Sequence, residues 1–178
     1  MMVLAGAGIL AIVAGLGLRT WELGRLLDEI EQSEAVMIDA QEEVRSIAEG
    51  ALGEESADRA EAEESLQRIA TESGEELAQI AEEIAVLRIA PWNDSIEQAR
   101  TSYLAHSQAW QDFLGAASED AEQWFETYPD IDRTWNVFVT DVGLAVPSID
   151  AVGLGDRVDA VVGDTPGGGG GAEGTLDV

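Results

Sequence analysis

The chain has 178 residues and no cysteine, and 9 Lys+Arg stand against 36 Asp+Glu for a formal net charge of −27. That excess argues against nucleic acid as a partner, because such binding relies on cations neutralising phosphates. The lack of cysteine removes disulfides, thiolate nucleophiles and Cys-based zinc sites.

Met1 to Leu18 carries no charged side chain. At 1.5 Å per residue it reaches roughly 27 Å, close to one bilayer core. Residues 1–18 therefore predict a transmembrane signal-anchor helix, with a cleaved signal peptide as the competing reading. Arg19 ends the run and Trp21 follows at interface depth. On this reading the protein is a single-pass resident of the cell membrane. Its domain leans to the extracytoplasmic side, where the membrane potential favours net negative charge.

Residues 19–54 predict a stalk-like amphipathic helix. Leu23, Ile30, Met37, Val44 and Ala51 repeat every seven residues, with Leu26, Ser33, Ala40 and Ile47 three places later; this is the a/d seam of a coiled coil. Asp28, Glu29, Glu31, Glu42 and Glu43 form its solvated face, and Gly50 and Gly53 supply a stop. Residues 55–162 predict the remainder of the bundle. Ser56 is an N-cap candidate for a second helix carrying Leu66, Ala70, Leu77, Ile80, Ile84 and Leu87, closed by Pro91.

Asp94 and Glu97 have capping-box spacing for a third helix. Its seam is aromatic: Ile96, Tyr103, Trp110, Ala117 and Trp124 in one register, with Ala99, His106 and Phe113 in the other. Gly115 and Ser118 predict a kink or restart. After Tyr128-Pro129-Asp130, the residues Ile131, Trp135, Phe138 and Val142 predict a fourth helix, although Val137 to Val139 also suit a strand. A short helix is expected around Arg157 to Val162. Residues 163–178, rich in glycine, predict a disordered tail.

The fold class is thus all-α: an N-terminal transmembrane helix continuing into an antiparallel up-and-down bundle of three to four helices. The seams equally suit a homodimer or another protein partner.

The chain contains no phosphate-cradling glycine loop, serine nucleophile elbow or HExxH signature, so no catalytic residue is assigned. With one histidine, paired ExxH units for a diiron site cannot form. The acidic stretches suit loosely bound cations, and no specific metal site or cofactor is expected. The leading functional expectation is a non-enzymatic, membrane-anchored structural or protein-interaction module. The alternative is a sensor-like bundle that takes a small molecule, cationic in character, in an aromatic pocket between helices three and four. The candidate ligand residues are Trp92, Tyr103, His106, Trp110, Trp124 and Trp135.

Overall fold

The seam that begins at Leu23 is buried along one long helix, α1 (Val3–Ala51), where Leu23, Leu26, Ile30, Ser33, Met37, Ala40 and Val44 all turn inward. Leu27 and Glu34 are buried as well, so the inward stripe is wider than a two-helix seam and faces more than one neighbour. A computed structural model describes residues 3–51, 56–147 and 153–164, with side chains for 17–50, 59–147 and 153–163. The remaining helices are α2 (Ser56–Ala85), α3 (Asp94–Glu119), α4 (Pro129–Ala145) and α5 (Leu154–Asp164), with a 3₁₀ turn, Ala121–Phe125, after α3. Among the described residues the chain is all-helical.

Side-chain partners fix the direction of each helix. The start of the α1 seam, Leu23 to Ile30, packs with the end of α2 at Ile84 and Leu87. Further along α1, Ala40 and Val44 meet Leu66 and Ile69 near the α2 start, so the two run antiparallel. Gln67 near the start of α2 donates to the Glu119 carbonyl at the end of α3. Gln98 near the start of α3 donates to Asp141 near the end of α4 at 3.0 Å. Four helices therefore run up, down, up and down. α5 packs Leu154, Val158 and Val161 into the same core.

Polar clamps complete the helix ends. Arg19 donates to the Ala145 carbonyl at 3.0 Å and to Ser95 Oγ at 3.0 Å, satisfying the last turn of α4. Buried Glu22 accepts from Ala90 N–H at 2.9 Å and from the Asn93 side-chain amide, which holds the α2–α3 connection against α1. Arg100 donates to the Ala85 and Leu87 carbonyls at 3.2 and 2.8 Å. α2 accordingly stops at Ala85, short of Pro91. Asn93, not Asp94, occupies the N-cap of α3, without a side-chain cap bond, and Glu97 pairs with Arg100, so the expected Asp94–Glu97 box does not define the start.

Among the described residues no helix is long and apolar enough to cross a membrane. The transmembrane helix, the signal-anchor and single-pass readings and the cell-membrane placement drawn from Met1–Leu18 are corrected on that finding. The side chains of residues 1–16 lie outside those described. From Gly17 onward, Arg19, Glu22, Arg25 and Asp28 recur at every third position of α1. Two of these four side chains, Arg19 and Glu22, are the clamps to α4 and the α2–α3 connection. These charges follow Leu18, and in this part α1 is a bundle helix rather than a lipid-facing one.

Two further expectations change. α3 continues through Gly115 as one helix to Glu119, and the break falls at the 3₁₀ turn beyond it. Val137 to Val139 lie within α4, where Phe138 is buried and Val137 is exposed; with no neighbouring strand among the described residues, helix is the state that satisfies their backbone. The short fifth helix begins before and ends after the segment expected for it. The tail from residue 165 lies outside the described residues.

Gly74 sits inside α2, and a Cβ placed there would meet Leu114 Cβ at 3.7 Å, an ordinary contact. Gly74→Ala should therefore raise stability by about 1 kcal/mol, since alanine loses less backbone entropy in a helix. A rise of a few degrees in thermal midpoint checks this.

Candidate functional site

The aromatic register of α3 splits into two environments. Its upper part, Tyr103 and His106, is enclosed by α1 and α4 and fully buried. Its lower part, Trp110 and Phe113, lines a cleft of about 410 Å³ between α1, α3 and the 3₁₀–α4 connection. That volume is within the range of small-molecule sites.

The α1 wall of the cleft is Gln41, Val44, Arg45 and Ala48, and the opposite wall is built from Trp124, Phe125, Glu126, Tyr128, Ile131 and Asp132. Phe113 is the hub of the aromatic lining. It meets Trp110 at 5.7 Å, Trp124 at 5.3 Å and Tyr128 at 5.7 Å between ring centroids, each pair edge-to-face. Such contacts add to the apolar burial of each ring and fix its orientation. Trp124 is held further by its indole N–H, which donates to the Leu66 carbonyl at 3.1 Å. Phe125, in contrast, is 64% exposed at the rim. Its ring also lines a second cavity of about 380 Å³, formed with Ile47, Leu66 and Ala121.

Behind Trp110 lies a buried polar relay. The Trp110 indole N–H donates to His106 Nε2 at 3.0 Å. An indole is a donor only, so Nε2 accepts and the His106 proton resides on Nδ1, which donates to Thr134 Oγ1 at 3.2 Å. Thr134 in turn donates to the Asp130 carbonyl at 2.7 Å. Glu34 Oε1 lies 3.7 Å from the same His106 Nε2, beyond hydrogen-bond reach. The same oxygen accepts from the Tyr103 hydroxyl at 2.7 Å, while Glu34 Oε2 is buried with no partner.

This enclosure disfavours charge on both groups. Burial raises the Glu34 carboxyl to about 7, against a smaller lowering by the Tyr103 hydrogen bond. Burial lowers His106 to about 4, opposed by a hydrogen bond to the Ile131 backbone. Tyr103 is pushed well above the usual phenol range by burial, with the Glu34 charge adding to it. Between those limits the relay is an uncharged, hydrogen-bonded plug in the core.

Of the six candidate ligand residues, Trp110 and Trp124 line the cleft. Tyr103, His106 and Trp135 are core residues at 0%, 0% and 2% exposure, and Trp92 stands 69% exposed on the α2–α3 connection. The helical period brought all the α3 aromatics to one face, but the depth of α1 over that face decides which of them reach solvent. Sequence reasoning missed Arg45, Tyr128 and Glu34. A tyrosine hydroxyl at a core position needs a partner, and Glu34, next to the seam residue Ser33, is the carboxyl that accepts from Tyr103. Among the described residues no group of His, Cys, Asp and Glu side chains is placed to hold a metal ion.

The chain matches no protein-family model, no curated protein and no solved structure.

Proposed function

We propose that this protein is a non-enzymatic binding module whose recognition site is the aromatic cleft between α1, α3 and the 3₁₀–α4 connection. The observation that carries this reading is the convergence of Trp110, Phe113, Trp124, Phe125 and Tyr128 on one open cavity. Trp110, Trp124 and Tyr128, each edge-to-face on Phe113, give an apolar surface that is already ordered before a ligand arrives, which lowers the entropy cost of binding. Gln41, Arg45, Glu126 and Asp132 supply the few polar groups that orient a ligand. Binding rather than turnover is favoured by the placement of the sole imidazole, whose two ring nitrogens are engaged by Trp110 and Thr134. A general base needs access to the proton it removes.

A fragment screen by NMR on the full chain tests the proposal. Small aromatic fragments should shift the Trp110 and Trp124 indole signals and raise the thermal midpoint in proportion to occupancy. Phe125→Ala, a rim truncation, should weaken the fragments about tenfold, in line with loss of a buried ring contact, without lowering the melting temperature. Fragments that bind elsewhere, or none that bind, would refute it.

A further inference from the structure

From the charges around the cleft we infer that its ligand is a small organic cation, a quaternary or protonated ammonium carried on an apolar body. The inference rests on the cleft being the recognition site and adds the chemistry of what enters it.

Two carboxylates, Glu126 and Asp132, stand on the aromatic wall, against one guanidinium, Arg45, on α1. They lie in a chain of formal net charge −27, whose field concentrates cations and repels anions at every open cleft. Aromatic rings attract a cation through the negative potential of their faces, and the attraction grows as the cation is desolvated. Among the described residues the cation–ring stack present is Arg25 over Trp21, at 5.4 Å, both near the start of α1 and some twenty residues before the α1 wall of this cavity. The chain's own arginines therefore leave the cleft rings to a ligand. Arg45, facing from α1, disfavours a cation on its own side and so sets the orientation: ammonium toward Glu126 and Asp132, apolar body toward Val44 and Phe113.

The test uses the full chain and three probes of similar shape: benzyltrimethylammonium, neutral 4-tert-butylbenzyl alcohol and anionic 4-tert-butylbenzoate. Tryptophan fluorescence and NMR should show the ammonium binding about tenfold tighter than the alcohol, with an affinity that falls as salt is added. The benzoate should bind weakest. In the double variant Glu126→Gln, Asp132→Asn, both at exposed positions, the preference for the ammonium should shrink to about threefold or less while the alcohol is unaffected. If the alcohol or the benzoate binds as tightly as the ammonium, the cationic assignment falls and the cleft reading stands. If none of the three perturbs Trp110 or Trp124, both fall.

Discussion

Replacing Glu34 with glutamine should make the bundle lose stability on acidification from pH 6.5 to about 4, by about 3 kcal/mol relative to wild type. The expected size comes from His106, lowered from 6.5 to about 4 by burial, at about 1.4 kcal/mol per tenfold change in proton affinity. A depressed folded value means that the contribution is present above the unfolded value and lost as pH falls through the folded one. Glu34 has the opposite sign. Its folded value is raised from 4.5 to about 7, so its contribution is complete below pH 4.5 and lost as pH rises through 7.

In the wild type these two dependences offset each other. Between about pH 4.5 and 6.5 the folded relay holds one proton on Glu34, and the unfolded chain holds one on His106, so proton count does not change on unfolding. Glu34→Gln keeps the shape of the protonated acid, and its amide can still accept from Tyr103. It removes only the compensating titration. His106→Gln is the mirror case: relative to wild type it should lose stability as pH rises from 4.5 to 7, again by about 3 kcal/mol. Urea midpoints measured across this range, as differences from wild type, cancel the background of other carboxylates. Difference curves that stay flat for both variants would refute the uncharged relay.

Trp135→Ala should cost about 3–5 kcal/mol, the range for truncating a buried aromatic, whereas Trp92→Ala should stay within about 0.5 kcal/mol, as surface changes do. Trp135 is 2% exposed and packs on His106 and Phe138 at centroid distances of 4.9 and 5.2 Å. Removing its indole opens a cavity beside the relay and lets water reach Glu34, so the variant should also show a lower Glu34 pKa if it remains folded. Trp92 is 69% exposed and has little packing to lose. Chemical denaturation of both variants separates the two environments. Equal losses would mean that the division between core and rim aromatics is wrong.

That division marks the limit of what the sequence reveals. Periodicity places Leu23, Ile30 and Met37 inside, and it places Ile96, Tyr103, Trp110 and Phe113 on one face of α3, all of which are buried. It cannot register how far α1 covers that face, because this depends on the crossing of two helices whose contact residues lie some seventy positions apart, as Glu34 and Tyr103 do. Glu22 and Glu34 look like members of a solvated acidic face until the partners that bury them are known. Asn93 shows the same limit locally. It occupies the N-cap position, yet forms no side-chain cap bond, and its side-chain N–H donates to a carboxylate on α1. The apolar content of the first eighteen residues suggested a membrane span from composition alone, while the clamps of Arg19 and Glu22 depend on partners in α4 and the α2–α3 connection.

The five tryptophans provide the most direct test of the aromatic cleft as the recognition site, because each indole N–H gives its own NMR signal. On saturation of the full chain with the ammonium, alcohol and benzoate probes in turn, at least one should move the signals of Trp110 and Trp124, while those of Trp21, Trp92 and Trp135 stay in place. Movement confined to Trp21 or Trp92, or a spectrum left unchanged by all three probes, would contradict it.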